Sequence, residues 1–123
     1  NNLKNIKISI LGLAFKPGTN DVRESPSIKI IEELSKYDAY ILAYDPIAND
    51  EAKKEINYKR VVFKKTLISA VKECDVIMIM TMWDEFKKIP SIINKKNPEA
   101  LLIDGRRMLK PNSVKNYRGI GLS

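Results

Sequence analysis

The stretch IKISILGLAFKPGTNDVRESPSIKIIEELSK, residues 6–36, decides the fold because it passes from a strand pattern through a polar loop to a helix pattern. Three isoleucines alternate with polar residues before the apolar segment 11–14, which predicts a strand with a buried end. Ser25 precedes Pro26, the arrangement of an N-cap followed by proline at the first helical position. A strand, a loop and a helix N-terminus in this order form the place where open α/β sheets bind ligands.

The loop between strand and helix, residues 15–25, carries charges that suit an anionic ligand. Lys16 and Arg23 add full positive charges to the partial charge of the helix N-terminus. Arginine holds phosphate through two parallel hydrogen bonds and lysine acts as a point charge, so the loop indicates a phosphorylated ligand. A structural alternative stays open, in which Asp21 pairs with Arg23 or Lys16 and Asp104 caps its own turn.

The rest of the chain repeats the alternation of strand and helix. Five consecutive apolar residues, 76–80, predict a central strand that is buried on both faces. Repeated strand-helix units with short connections predict an α/β fold, a Rossmann-like doubly wound parallel sheet in three layers, with residues 1–123 forming a single domain. The other predicted strands are 40–44, 61–63, 101–103 and 117–122, and the predicted helices are 27–36, 48–56, 66–74 and a short one from 85 that ends near Pro90.

Parallel strands place their carboxyl ends at one edge of the sheet, so four loops are expected to converge there. Their acids are expected either to orient the basic side chains or to bind ribose hydroxyl groups. The loops are 14–25, 45–46, 81–84 and 104–107, and they carry Lys16, Asp21, Arg23, Ser25, Asp45, Thr81, Trp83, Asp84, Asp104, Arg106 and Arg107.

Composition excludes several classes of protein. No apolar run approaches the ~18 residues that span a bilayer, so no membrane association is expected. Cys74 is the single cysteine and histidine is absent, which leaves no internal disulfide, no usual metal site and no Ser-His or Cys-His pair. We therefore expect no metal and no unaided acyl-transfer chemistry in this chain, and a location in the reducing cytoplasm.

The net charge of +7 raises the possibility of nucleic-acid binding. The basic residues are mostly lysines in scattered pairs, with no basic helix and no aromatic-interleaved strand for base stacking. Solvated helix faces explain such scattered charge, so nucleic acid is not expected to be the partner.

A dinucleotide fingerprint is incomplete in this chain. Residues 12–17 stand where G-x-G-x-x-G would lie, but only the first glycine is present and the third position is Pro17. This departure predicts that NAD is not bound by this domain alone, and that side chains rather than backbone grip the ligand.

Residues 12–27, GLAFKPGTNDVRESPS, closely resemble the opening signature of the C-terminal nucleotide-binding domain of the UDP-glucose/GDP-mannose dehydrogenases. Further matches follow in the family's order at 44–46, 75–86 and 104–107. The resemblance implies a Rossmann-like domain from an enzyme that oxidises the C6 alcohol of a UDP-sugar to a carboxylate, with NAD as oxidant and a cysteine nucleophile.

Site roles follow from the same resemblance. It implies that Phe15 and Lys16 contact the UDP moiety, that Arg106 contacts the substrate, and that Arg23 reaches toward NAD across a domain cleft. Cys74 does not match the motif of the nucleophilic cysteine.

The expected partners are therefore a UDP-sugar and the rest of a dehydrogenase polypeptide, whose N-terminal NAD domain and central helical region are absent here. The intact enzyme is expected to be a homo-oligomer, and this chain alone is expected to be inactive. The alternative is a non-catalytic nucleotide-binding or regulatory module of the same fold.

Overall fold

The computed structural model describes residues 3–120, in which strands and helices alternate. The strands are β1 (Lys7–Leu11), β2 (Tyr40–Tyr44), β3 (Val61–Phe63), β4 (Val76–Ile79), β5 (Leu101–Asp104) and β6 (Asn116–Gly119). The α-helices are α1 (Pro26–Ser35), α2 (Asn49–Glu55), α3 (Leu67–Val71) and α4 (Ile89–Lys96), and 3-10 turns occupy Asp84–Lys88 and Pro111–Ser113.

All six described strands are parallel and lie in the order β3-β2-β1-β4-β5-β6. The register places Ile10 beside Ala43 on one side and beside Met78 on the other. The strand order reverses direction between β1 and β4, which is the topological switch point of a doubly wound sheet. The predicted fold class is confirmed.

Helices cover both faces of the sheet, because successive side chains of a buried strand point in opposite directions. On one face, Ile10 packs in a cluster with Ile31 of α1. On the other face, Leu11 packs in a cluster with Val71 of α3 and Ile93 of α4. The three layers predicted from the alternating pattern are present. None of the helices within residues 3–120 combines the length and hydropathy that crossing a bilayer requires.

Two segments differ from the prediction. The predicted short helix from 85 is found as the 3-10 turn Asp84–Lys88, which ends just before Pro90, but the prediction lacks α4. Pro90 lies in the first turn of α4, which continues to Lys96. Proline is tolerated there since the first-turn N–H has no partner inside the helix. The predicted strand 117–122 is found as β6, and its last two residues lie outside the described residues.

Candidate functional site

The end of β1 meets the end of β4 so closely that only glycine fits between them. Gly12 has φ +94°, and a Cβ built on it would lie 2.6 Å from Thr81 Oγ1. Thr81 Oγ1 in turn donates a hydrogen bond to the carbonyl oxygen of Ala14, at 3.4 Å. The first glycine of the incomplete fingerprint is therefore required by sheet geometry alone.

The N-terminus of α1 is held against the end of β1 by two serines. Ser25 is the N-cap, and its Oγ accepts from the N–H of Ser27 at 3.2 Å and donates to the carbonyl of Leu13 at 2.8 Å. The Ser27 hydroxyl donates to the carbonyl of Gly12. The predicted N-cap is confirmed, and it also fixes the start of the loop.

Asp45, at the end of β2, is buried and accepts hydrogen bonds from four backbone N–H groups. Its Oδ2 accepts from Leu13 at 2.8 Å and from Ala14 at 3.1 Å, and its Oδ1 accepts from Ile47 and Ala48 at 2.9 Å each. In a Rossmann domain the N–H groups after the first strand face the pyrophosphate. Here the Asp45 carboxylate accepts the hydrogen bonds that a pyrophosphate would accept there.

The loop after β1 contains an ion pair between neighbouring residues. The N–H of Phe15 donates to the carbonyl of Asp21 at 2.7 Å, which closes the loop. Arg23 donates from Nε and Nη2 to the Asp21 carboxylate at 3.0 Å each, and its N–H donates at 2.9 Å. These hydrogen bonds lower the pKa of Asp21 from 3.8 to about 2. The pairing that the structural alternative proposed is therefore present.

Asp104 shapes the last loop of the site. It is fully buried at the end of β5, and its Oδ1 accepts from the N–H of Arg106 at 3.2 Å. Its Oδ2 accepts from the N–H of Leu109 at 2.8 Å and from the Tyr117 hydroxyl at 2.9 Å. Asp104 thus caps its own turn, and that turn holds the backbone at Arg106.

Lys16 and Arg106 are exposed cations, and neither side chain has an ion-pair or hydrogen-bond partner among residues 3–120. Phe15, next to Lys16, has 54% of its surface exposed. Arg23 differs from these two cations, because its Nε and Nη2 already donate hydrogen bonds to the Asp21 carboxylate. The edge therefore offers two unpaired cations and one exposed aromatic ring.

The predicted convergence of the loops is confirmed. Asp45 ties the loop after β2 to the loop after β1, and the N–H of Gly105 donates to the carbonyl of Ile79 at 3.0 Å. The carboxyl ends of four neighbouring strands therefore form one continuous edge.

A cleft of about 530 Å³ opens at the switch point between these loops. At one side of it, the hydroxyl of Tyr44 donates to Glu85 Oε1 at 2.6 Å. Burial, and then the hydrogen bond to Glu85, raise the pKa of Tyr44 above its usual range. Sequence reasoning stopped at Asp84 and missed Glu85, although it is the next residue of the same loop. The cleft is lined by Pro17, Tyr44, Pro46, Met82, Trp83, Asp84 and Glu85.

Cys74 lies away from this edge, in the segment that leads into the opposite end of β4. It is buried, and burial together with the charge of Asp75 raises the pKa of its thiol to about 12. Asn97 contacts it from the end of α4, where its side-chain N–H groups bind the carbonyl oxygens of Val71 and Cys74 at 2.9 Å. The thiol is a structural side chain.

A parallel sheet of this strand order, with cations and a cleft at its carboxyl edge, defines a Rossmann-like nucleotide-binding domain. The chain belongs to the UDP-glucose/GDP-mannose dehydrogenase family and matches that family's UDP binding domain over residues 9–111.

Similarity to individual proteins supports the same assignment. A UDP-glucose 6-dehydrogenase of Rickettsia conorii is 39% identical over 114 residues, which cover 92% of this chain and 26% of that protein. The UDP-glucose 6-dehydrogenase YwqF of Bacillus subtilis is 45% identical over 100 residues, which cover 80% of this chain and 22% of that protein.

Among solved structures, a UDP-glucose dehydrogenase from Pyrobaculum islandicum superposes with a TM-score of 0.81 at 26% identity. The superposition covers 96% of this chain and 26% of that chain. The chain therefore spans about a quarter of the length of these relatives.

Proposed function

We propose that this chain is the UDP-sugar-binding part of an NAD-dependent dehydrogenase that oxidises the C6 alcohol of a UDP-sugar to a uronic acid. The observation that carries the proposal is the pair of unpaired cations, Lys16 and Arg106, at the carboxyl edge of a sheet of this family. In this proposal residues 1–123 form the nucleotide-sugar domain, and an NAD domain and a central helical region belong to the rest of the enzyme.

Two kinds of contact would hold the nucleotide. Lys16 supplies a point charge to the diphosphate, and Arg106 supplies a planar guanidinium that hydrogen-bonds two oxygens at once. Phe15 offers an exposed ring beside Lys16, suited to stacking on the UDP moiety. Asp104 holds the Arg106 backbone in place, so the side chain extends from a fixed point of the loop.

The edge does not fit NAD in the manner of a Rossmann domain, because Asp45 occupies the N–H groups of Leu13 and Ala14. We therefore assign the cofactor to another domain, with Arg23 as the residue that faces it. NAD, when bound in such an enzyme, accepts the hydride that leaves C6. Asp21 holds the Arg23 guanidinium in one orientation for that contact.

The contribution of this domain to the reaction would be binding and orientation. Contacts to the nucleotide, far from C6, can hold the sugar in a fixed geometry and lower the barrier to oxidation. A homo-oligomeric enzyme in the cytoplasm completes the proposal, and the unpaired Cys74 is consistent with a reducing compartment.

Two assays test this function. The chain mixed with UDP-glucose and NAD should produce no NADH, and addition of the NAD domain and central region of a relative should restore oxidation. Failure of every such combination, with the chain folded and UDP bound, would favour the alternative of a non-catalytic nucleotide-binding module. NADH production by the chain alone would contradict the proposal.

A further inference from the structure

Three of the acidic side chains at the carboxyl edge already have partners within the protein. Asp21 is bound by Arg23, Asp45 by four backbone N–H groups, and Asp104 by two backbone N–H groups and a hydroxyl. A Rossmann domain uses an acid near the end of its second strand to bind ribose hydroxyl groups. Asp45 stands near that position but has no capacity left for a ligand.

Glu85 is the acid of this edge that is both held in place and open to a ligand. Its Oε1 accepts the Tyr44 hydroxyl at 2.6 Å, while its Oε2 has no hydrogen-bond partner among residues 3–120. Tyr44 is itself only 6% exposed, and its ring lies 6.4 Å from that of Phe86. A buried tyrosine therefore orients one carboxylate oxygen of Glu85 and leaves the other unpaired, in a residue that lines the cleft.

The walls of the cleft suit a neutral ring better than a phosphate. Its lining contains two carboxylates and no cation, and the remaining side chains are apolar or aromatic. Trp83 and the apolar rings of Pro17 and Pro46 can contact the C–H faces of a sugar, while a carboxylate accepts from its hydroxyl groups. No group of three potential metal ligands occurs within residues 3–120, which argues against a metal ion here.

The position of the cleft relates it to the proposed diphosphate contact. Pro17, one wall of the cleft, directly follows Lys16 in the chain. A diphosphate held by Lys16 therefore leaves a ring attached to it within reach of the cleft. In a UDP-sugar two rings with neighbouring hydroxyl groups are attached to the diphosphate, the ribose and the hexose.

We propose that the cleft binds the hydroxylated ring next to the diphosphate, with Glu85 accepting hydrogen bonds from its hydroxyl groups and Tyr44 positioning Glu85. This inference rests on the proposed function. It assigns a binding role to two residues, Glu85 and Tyr44, in addition to Lys16, Phe15 and Arg106.

Calorimetry on the whole chain with UDP and 2′,3′-dideoxy-UDP tests the ribose. The wild-type chain should bind UDP roughly tenfold to hundredfold more tightly than 2′,3′-dideoxy-UDP, since a hydrogen bond to a charged group is worth about 1.5–3 kcal/mol. In Glu85→Ala this ratio should fall to about one. Glu85→Gln, which keeps the side-chain shape and the contact to Tyr44, should give an intermediate ratio, and Glu55→Ala on exposed α2 should leave it unchanged.

A second comparison, between UDP-glucose and UDP, tests the hexose. If the hexose occupies the cleft, Glu85→Ala changes the ratio of the affinities for UDP-glucose and UDP. The ratio of the affinities for UDP and 2′,3′-dideoxy-UDP then stays unchanged. Trp83 is the only tryptophan, so its fluorescence should respond when the cleft is filled. If folded Glu85→Ala and Glu85→Gln bind UDP and both affinity ratios equal those of the wild type, the inference is overturned. The proposed function stands in that case. A folded wild-type chain that binds no UDP overturns both.

Discussion

Asp45 Oδ2 lies 2.8 Å from the backbone nitrogen of Leu13, so a side chain at the end of β2 holds the loop that follows β1. The same carboxylate holds Ala14, Ile47 and Ala48 through their N–H groups. One buried acid thus joins two loops of the candidate site. It also occupies the backbone donors that a dinucleotide would use, which favours the proposed binding of the ligand by side chains.

Asp45→Asn is expected to destabilise the fold. An amide has a single acceptor oxygen, so its NH₂ group would face two backbone N–H donors that have no other partner. Each buried donor left unpaired costs about 1–3 kcal/mol, so the free energy of unfolding should fall by at least about 2 kcal/mol in urea titrations. The same substitution at exposed Asp38 is the control and should have little effect. Equal stabilities of the two variants would contradict the role given to Asp45.

Gly12→Ala is expected to be more harmful than Gly18→Ala. Both glycines have positive φ, +94° and +86°, so both substitutions strain the backbone by about 1–2 kcal/mol. Only at Gly12 would the new Cβ also meet Thr81, at 2.6 Å, whereas nothing lies within 4 Å at Gly18. Overpacking should add a further 1–3 kcal/mol or so to the loss at Gly12, measured by urea unfolding. Similar losses at both positions would contradict the close approach of β1 and β4.

Lys16→Ala and Arg106→Ala are each expected to weaken UDP binding. Loss of a charge-assisted hydrogen bond costs about 1.5–3 kcal/mol, roughly a tenfold to hundredfold rise in Kd by calorimetry. Lys59→Ala removes an exposed lysine that precedes β3, at the opposite edge of the sheet, and should leave the affinity unchanged. If either variant bound UDP with wild-type affinity, the assignment of that residue to the binding site would be wrong.

The ion pair of Asp21 and Arg23 is expected to make stability depend on pH in the acid range. The folded-state pKa of Asp21, about 2, lies below the usual 3.8, so its contribution is complete above about pH 4 and is lost as pH falls through about 2. The stability difference between wild type and Asp21→Asn should therefore shrink between pH 4 and pH 2. In Arg23→Gln, carboxyl NMR should show the pKa of Asp21 returning toward 3.8. An unchanged pKa in that variant would contradict the pairing.

Cys74 is expected to be chemically inert in the folded chain. A thiol with a pKa of about 12 is almost entirely protonated at pH 8, and burial also keeps reagents away. A thiol reagent such as Ellman's reagent should react slowly with the folded chain and rapidly in denaturing urea. Rapid reaction of the folded chain, or protection of Cys74 by UDP, would contradict its structural role.

Most of the fold could be predicted because apolar residues mark the strands, and β1 and β4 lie side by side at the centre of the sheet. Their burial could not be predicted from the pattern, because β1 is buried at four consecutive residues although Ser9 lies between isoleucines, and β4 alternates between partly buried and buried residues. The missed element is α4. Pro90 suggests the end of a helix, but Ile89 and Ile93 lie four residues apart, the spacing of one helix face.

The location of the site could be predicted better than its internal contacts. Parallel strands bring their following loops to one edge, so the charged loops had to meet. The Tyr44–Glu85 hydrogen bond joins residues 41 positions apart, and no local pattern signals it. Two of the four N–H bonds of Asp45 likewise depend on tertiary structure, since Leu13 and Ala14 are distant in the chain, whereas the bonds from Ile47 and Ala48 are local.

The most direct test of a nucleotide site at this edge is an NMR titration of the isotope-labelled chain with UDP. Saturable shifts should be largest for backbone amides in 13–25 and 104–107, with Lys16 and Arg106 among them, and should weaken together in the Lys16→Ala variant. Saturable binding whose shifts lie at the opposite edge, or no shifts at millimolar UDP in a folded sample, would contradict the account.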